Sequence, residues 1–260
     1  MEKFDNHTFV ICAYKDSEFL EECINSLKKQ TVKSNIIIST STPSEYISSI
    51  AKKHNLELFV NNGKKGIGPD WNFAVSKAKT DYVTIAHQDD IYDEHYTEEI
   101  QKSINKNSDI IMLFTNHKEI RDGKIVKMNI NLKIKLIMLF PLRVFKKSRF
   151  IKKMVISFGN PISCPSVTLN KNKVGNKPYK EDMASNIDWG TWLDWSKLKG
   201  SFVYVTPYLT FHRVHSGSET SNCINNNKRV QEDYEMFCRI WPKPIAKFIM
   251  IFYKHAVDAN

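Results

Sequence analysis

The sequence lacks the short motifs that mark many nucleotide-binding and catalytic sites. It contains no GxGxxG, GxxxxGK[ST], GxSxG or HExxH, so a dinucleotide site, a P-loop, a hydrolase elbow and a zincin site are all unsupported. Its five cysteines are scattered without a CxxC pair. Neither a zinc site nor a disulfide framework is therefore indicated, and a reducing compartment fits best.

Long apolar runs are also missing. No uninterrupted apolar stretch approaches the roughly 20 residues that span a bilayer, and the N-terminal residues carry charges where a signal peptide is apolar. We therefore expect a cytoplasmic protein that is neither exported nor integral to a membrane. With 260 residues, 42% of them hydrophobic, the chain can bury a sizeable core.

Acidic residues are outnumbered by basic ones, which gives a formal charge of +10. Such a charge predicts an anionic partner: nucleic acid, a membrane surface or a phosphorylated substrate. Residues 133–156 interleave large apolar side chains with eight lysines or arginines and contain no acidic residue. This composition is typical of an amphipathic element on an anionic membrane, although a core helix with a solvated cationic face has the same pattern. Residues 242–255 repeat it, which favours the membrane.

Short apolar runs alternate with helical patterns along the first part of the chain. The predicted strands cover residues 8–13, 35–40, 56–60 and 82–86, and helices are predicted near 19–27, 43–54 and 69–78. This alternation predicts a mostly parallel sheet with helices on both faces. Further on we predict helices at 94–104 and 187–198, strands at 109–115, 166–169 and 202–205, and a hairpin that turns at Asp122-Gly123.

The stretch from Thr80 to Tyr92, TDYVTIAHQDDIY, carries the strongest chemical signal. Its buried strand ends directly at His87-Gln88-Asp89-Asp90, and open α/β sheets bind ligands at the carboxyl ends of their strands. Mg²⁺ in such sites takes one or two carboxylates together with substrate phosphates. Asp89 and Asp90 are therefore candidate metal ligands, and capping of the next helix is the alternative interpretation.

Two further groups follow in the chain. Asp188 opens a tryptophan-rich helical pattern, IDWGTWLDWSKL, whose apolar surroundings favour a raised carboxyl pKa. The cluster His212-Arg213-Val214-His215 comes after the last predicted strand, and strand alternation would place Arg213 and His215 on one face.

These parts, in this order, resemble the family-2 glycosyltransferases of GT-A fold that build bacterial surface polysaccharides. The resemblance spans most of residues 8–218. It includes Ala13-Tyr14-Lys15-Asp16 after the first strand and Gly66 through Trp71-Asn72 before the fourth. The HQDD stretch stands at the position of the family's metal motif, Asp188 at that of its base, and the HRVH cluster near the far side of the site.

The resemblance implies an α/β GT-A fold with a mostly parallel central sheet and a C-terminal, mostly helical, basic amphipathic extension. It divides the chain into a nucleotide-sugar-binding part (1–127), a basic membrane or acceptor segment (128–158), an acceptor and catalytic-base part of the same domain (159–218) and a helical tail (219–260).

The implied activity is transfer of a sugar, with inversion, from a nucleotide-sugar donor to a hydroxyl of a glycan or lipid-linked acceptor. UDP-sugars are the expected donors, and synthesis of surface polysaccharide or lipooligosaccharide at the inner face of the plasma membrane is the expected setting. Mg²⁺ or Mn²⁺ would be held by Asp89, Asp90 and His215, and Asp188 would be the general base. The residues expected to bind the donor are Ala13, Tyr14, Asp16, Thr40, Asn72, Gln88, Asp89 and Arg213.

Two departures from the family pattern are visible. Ser39-Thr40-Ser41 stands where relatives often carry an acidic residue that reads uracil, and His87 stands where they often carry Asp. Asp188 could instead cap its helix, with Glu181 and Asp182 as competing bases, and His215 could be a structural histidine.

The alternative function is a non-enzymatic nucleic-acid- or membrane-binding protein on an inactive transferase fold. No nucleic-acid partner is expected, because aromatic and basic residues do not cluster together on a strand platform.

Overall fold

The computed structural model describes residues 2–126, 130–215 and 228–258. The strands are β1 (Lys3–Ala13), β2 (Lys33–Thr40), β3 (Glu57–Val60), β4 (Tyr82–His87), β5 (Ile91–Tyr92), β6 (Ile110–Arg121), β7 (Lys124–Ile125), β8 (Val167–Asn170) and β9 (Ser201–Val214). The helices are α1 (Leu20–Lys28), α2 (Glu45–His54), α3 (Ile67–Lys77), α4 (Tyr96–Lys106), α5 (Ile130–Leu139), α6 (Leu142–Phe145), α7 (Arg149–Val155), α8 (Lys171–Val174), α9 (Ile187–Ser196), α10 (Lys228–Ile240) and α11 (Lys243–Asp258).

All nine strands belong to one sheet, in the order β3-β2-β1-β4-β8-β6-β9-β5, with β7 paired to β6. The first four strands of this order are parallel, as predicted, and β6 and β9 are parallel to each other. Between these two groups β8 runs antiparallel to both β4 and β6. The α/β fold class is confirmed, and the carboxyl ends of β1, β2 and β4 meet at one edge of the sheet.

From Phe9 onward both faces of β1 are buried, which explains the continuous apolar sequence of this part of the strand. Phe9 and Ile11 pack with Ile24 of α1 on one face, and Val10 packs with Ala74 of α3 on the other. Burial of each such side chain stabilises the fold by about 1.5–3 kcal/mol. The strands that carry the loops after β1, β2 and β4 are therefore packed between two hydrophobic cores, one on each face of the sheet.

The two C-terminal helices complete the second of these cores. Trp189 of α9 meets the ring of Phe237 in α10 edge to face at 5.2 Å and that of Tyr253 in α11 at 6.2 Å. Met250 of α11 is also buried in this cluster. The helical extension predicted from the sequence thus packs directly against the helix that carries Asp188.

Several element boundaries differ from the sequence prediction. The basic segment forms three helices rather than one element, because Pro141 follows the end of α5 and Ser148 caps α7 by accepting from the Ile151 amide at 3.3 Å. Ser44 is the N-cap of α2, so Pro43 precedes that helix and does not open it. The boundaries expected at 127–128 and 218–219 involve residues outside the described part of the chain.

Strand β9 is longer than predicted. It runs without interruption from Ser201 to Val214, so His212 and Arg213 belong to the sheet and pair with Glu119 and Ile120 of β6.

Lys152 is an internal anchor of the basic segment. It is fully buried, its ammonium donates to the carbonyls of Leu198 at 2.7 Å and Gly200 at 2.9 Å, and it lies over the ring of Phe202. Burial lowers the pKa of this lysine to about 8.

We predict that Lys152→Met lowers the free energy of unfolding by about 1–3 kcal/mol, because two buried carbonyls lose their donor. Lys153→Met is the matched control, since Lys153 is the exposed neighbour and should change stability by less than about 0.5 kcal/mol. Urea unfolding of both variants measures the difference. Equal stability of the two would contradict the anchoring role.

Candidate active site

The loops that follow β1, β2 and β4 are fastened to one another. The Tyr14 amide donates to the Gln88 side-chain carbonyl at 3.0 Å, and the Gln88 side-chain amide donates back to the Tyr14 carbonyl at 2.9 Å. The Lys15 amide donates to the Thr42 hydroxyl at 2.6 Å, and the Ser44 hydroxyl donates to Asp16 at 2.6 Å. These contacts fix the three loops relative to one another at the sheet edge.

The predicted donor-binding residues of the first two strands lie in these loops or at the strand ends that precede them. Ala13 is buried, and the buried Thr40 hydroxyl accepts from the Thr42 amide at 3.0 Å. The Tyr14 ring is 45% exposed, which leaves it free to stack on a flat ligand. Asp16 thus contacts the loop after β2, Thr40 bonds within its own loop, and Tyr14 presents the accessible surface.

Asp90 is completely buried in the turn between β4 and β5, against β9. One of its oxygens, Oδ1, accepts from the His212 ring at 2.9 Å and from the Arg213 backbone amide at 2.9 Å. Burial favours the neutral carboxyl, but the charges of His212 and His87 and these hydrogen bonds prevail and lower the pKa of Asp90. In turn, burial disfavours the His212 imidazolium, but the Asp90 carboxylate prevails and raises the pKa of His212 to about 9.

Asp89 lies on the other side of the same turn. Its Oδ2 is 3.1 Å from the His215 Nε2, and its backbone carbonyl accepts from the Arg213 Nε at 3.0 Å. The Arg213 guanidinium also donates to Glu22 at 2.6 Å and lies 4.3 Å from the Phe19 ring centroid. The structure therefore brings Asp89, Arg213 and His215 together, as the sequence predicted.

His87 completes a group that could hold a metal ion. Ligand atoms of His87, Asp89 and Asp90 all lie within 4.8 Å of one another. The Asp90 Oδ2 and the His87 Nε2 are buried and have no hydrogen-bond partner among the described residues. Because buried polar atoms are rarely left unpaired, and because carboxylate and imidazole together suit ions such as Mn²⁺, these residues fit a divalent cation.

The sequence interpretation did not group His87 with the two carboxylates and treated it only as a departure from Asp. Its position at the end of a buried strand, beside two carboxylates, was the available signal. Trp71 was expected in the core. It does pack against the core, but it also stacks on His87 with 5.4 Å between ring centroids, so it fixes the imidazole from the side of α3.

Asp188 is in the first turn of α9, where Asn186 and not Asp188 is the N-cap. Its Oδ2 accepts from the Asn160 side-chain amide at 2.7 Å, and its Oδ1 accepts from the Trp189 amide at 2.7 Å. Burial raises the pKa of Asp188, against the opposing effects of Trp189, Arg229, Asn160 and His87.

The two competing bases are engaged elsewhere. Glu181 accepts from Asn72 at 3.0 Å and from Lys64 at 3.1 Å, and Asp182 contacts Arg239 at 3.4 Å on the surface. Asn72 is buried, and its amide also bonds the backbone of Tyr179 in both directions. Asn72 therefore holds the loop that precedes α9, and donor binding by this residue stays a prediction.

A cavity of about 280 Å³ lies between α5 and the ends of β6 and β7. Three leucines of α5 line it, together with His117, Lys135 and Pro161. Burial lowers the pKa of His117 to about 3 and also lowers that of Lys135. Pro161 follows Asn160, the hydrogen-bond partner of Asp188, so one residue of the cavity wall is next in the chain to that partner.

The sequence model of the family described as Glycosyl transferase family 2 matches residues 8–174. Since this match covers more than half of the chain, the protein belongs to glycosyl transferase family 2. No curated protein matches the sequence.

Solved structures share the fold at low sequence identity. S. aureus TarS 1–349 in complex with UDP-GlcNAc is 13% identical, with a TM-score of 0.68 over 94% of this chain and 70% of that one. The mannosyltransferase PcManGT from Pyrobaculum calidifontis, in complex with GDP-Man and Mn²⁺, is 13% identical, with a TM-score of 0.62 over 98% and 75%. Glucosyl-3-phosphoglycerate synthase from Mycobacterium tuberculosis, with Mn²⁺ and UDP-Glc, is 11% identical, with a TM-score of 0.54 over 87% and 77%. Such likeness establishes the fold, which is GT-A.

We predict that the pair of His212 and Asp90 makes the stability of the metal-free protein depend on pH. The pKa of His212 is about 9 when folded, against an ordinary value of 6.5, so its contribution is fully present below pH 6.5 and is lost as the pH rises through 9. Between pH 6.5 and pH 9 the free energy of unfolding of the wild type should fall by about 1–3 kcal/mol more than that of His212→Gln.

Urea unfolding in the presence of a chelator, at pH 6, 7.5 and 9.5, measures this loss. Parallel pH profiles for the wild type and His212→Gln would contradict the assigned pair.

Proposed function

We propose that the protein is a metal-dependent, inverting glycosyltransferase that uses a nucleotide sugar, with UDP-sugars as the first candidates. The acceptor is a hydroxyl of a glycan or lipid-linked sugar in bacterial surface polysaccharide or lipooligosaccharide synthesis. The observation that carries this proposal is the buried Asp90 Oδ2, which accepts no hydrogen bond from the described residues and lies 3.7 Å from the His87 Nδ1 and close to Asp89. This atom lies at the sheet edge where α/β folds bind nucleotides.

His87, Asp89 and Asp90 are the residues that would hold Mg²⁺ or Mn²⁺, with His215 supporting Asp89 from the side. A divalent cation at this position would neutralise the charge of the nucleoside diphosphate as it leaves. Arg213 adds a fixed positive charge next to Asp89, although Glu22 already neutralises part of it. Tyr14 offers its exposed ring to the nucleobase.

Asp188 accepts the proton of the acceptor hydroxyl in this proposal. Both of its oxygens already accept hydrogen bonds, from Asn160 and from the Trp189 amide, so the carboxylate is held in one orientation. A raised pKa brings a carboxylate closer to the working range of a general base. In this proposal the acceptor lies in the cavity lined by α5 and Pro161. Pro161 follows Asn160, which donates to Asp188.

The ligands named for the structural neighbours support the donor class. The TarS structure contains UDP-GlcNAc, PcManGT contains GDP-Man with Mn²⁺, and the mycobacterial synthase contains UDP-Glc with Mn²⁺. All three contain a nucleotide sugar, two contain Mn²⁺ with it, and uracil is the nucleobase in two.

We predict that Asp188→Asn lowers the turnover number about 10²- to 10⁴-fold, because an amide cannot take the proton that a general base removes. Binding of the nucleoside diphosphate should be unchanged. The assay is release of UDP from a panel of UDP-sugars, presented with short glycans and polyprenyl-linked sugars as acceptors.

Asp194→Asn is the matched control. Asp194 lies on the same helix but pairs with Lys180 and Lys197 at the surface, so its variant should retain wild-type turnover. A wild-type rate in Asp188→Asn would contradict the assignment of the base. Absence of turnover of every donor by the wild type would contradict the transferase itself.

A further inference from the structure

A large apolar surface of the molecule is not covered by any described residue. We define the cationic apolar surface as the exposed side chains of α5–α7 and of α11. Its large apolar members are Ile130, Ile134, Ile137, Phe140, Val144, Phe145 and Phe150 in the first part, and Ile245, Phe248, Ile251 and Phe252 in the second. Ile137 is 72% exposed and Phe150 is 74% exposed.

The exposed apolar residues recur at helical spacing, opposite faces that are buried. On α5 the exposed isoleucines stand at 130, 134 and 137, whereas Leu132 and Leu139 are buried. On α11 Phe248 and Phe252 are exposed, whereas Ala246 and Met250 are buried. A helix that is apolar all round is normally buried on all sides, and an exposed patch of this kind marks an interaction site.

The two parts of the surface meet at the start of α11. The exposed ring of Phe158, three residues after α7, lies 5.3 Å from the ring of Trp241. The Trp241 indole N–H also donates to the Ser157 carbonyl at 2.8 Å. These contacts join the end of the first part to the beginning of the second.

Charge selects the kind of partner. Arg143, Lys147, Arg149 and Lys153 are exposed among the apolar residues of α6 and α7, and neither residues 130–156 nor residues 240–257 contain an acidic side chain. A second copy of this chain would bring like charges together. An anionic phospholipid surface offers phosphates for the cations and acyl chains for the apolar residues.

We propose that the cationic apolar surface docks this protein on an anionic lipid bilayer, such as the inner leaflet of a plasma membrane. The apolar side chains enter the boundary between headgroups and acyl chains, and the lysines and arginines lie at the level of the phosphates. Binding is peripheral: no helix in the described ranges has the length and apolarity needed to cross a membrane. Lys152 takes no part, because it is buried and bonded to two carbonyls.

The inner face of α5 lines the cavity in which the acceptor is proposed to bind, and its outer face belongs to this surface. Docking would therefore bring the acceptor side of the molecule to the membrane. The docking proposal does not depend on the proposed transfer reaction, so each can fail without the other.

The test is cosedimentation of the full chain with vesicles of phosphatidylcholine alone or mixed with phosphatidylglycerol. We expect strong binding to the mixed vesicles only. Each cation at an anionic surface strengthens partitioning about fivefold, so Arg149→Gln combined with Lys153→Gln should weaken binding roughly 20- to 30-fold. Phe248→Ser combined with Phe252→Ser should also weaken it, by about tenfold or more.

The matched control is Lys29→Gln combined with Lys52→Gln, which removes the same charge from exposed positions on α2 and next to α1 and should bind like the wild type. Far-ultraviolet circular dichroism and thermal melting confirm that all variants are folded. Equal binding by the Arg149/Lys153 variant and the control would overturn the proposal. So would equal binding to both kinds of vesicle, or a wild type that dimerises and does not sediment with either.

Discussion

The arrangement of the site depends on the hydrogen bonds that the buried Asp90 carboxylate accepts from His212 and the Arg213 amide. These hydrogen bonds join the turn after β4 to His212 and Arg213 of β9. In the sheet, β8 and β6 separate β4 from β9. An ionised carboxylate without water is costly unless it is paired and hydrogen-bonded. His212 and the Arg213 amide supply this pairing through Oδ1, whereas Oδ2 accepts no hydrogen bond from the described residues and lies 3.7 Å from the His87 ring. The same bonds set the position of Arg213 and His215 next to Asp89.

The sequence was sufficient to predict the first half of the sheet and the order of the site residues. The apolar runs of β1, β2 and β4 are buried on both faces and can hardly be interpreted in another way. Parallel strands bring their carboxyl ends to one edge, so the HQDD stretch and the Tyr14 loop had to be neighbours. Alternation along the HRVH cluster predicted that Arg213 and His215 share a side, and in the structure both contact Asp89 and the Phe19 ring.

The partners of individual polar groups could not be predicted, because they are chosen by packing between distant segments. Nothing local in the sequence shows that Asn72 bonds the Tyr179 backbone, 107 residues away, or that Glu22 neutralises Arg213. The burial of Lys152 could not be predicted either, because the composition of its segment gives no reason to separate it from the surface lysines around it. Periodicity reports the direction of a side chain but not what it meets there.

The central claim is that His87, Asp89 and Asp90 hold a divalent cation against a nucleoside diphosphate. Titration calorimetry of the wild type and Asp89→Asn with UDP and GDP, each with and without Mn²⁺, tests it most directly. We expect one of the two nucleotides to bind only when Mn²⁺ is present, and Asp89→Asn to weaken that binding at least tenfold. Asp5→Asn, at the exposed start of β1, is the control. Nucleotide binding that is the same with and without Mn²⁺, and the same in the wild type and Asp89→Asn, would contradict the claim.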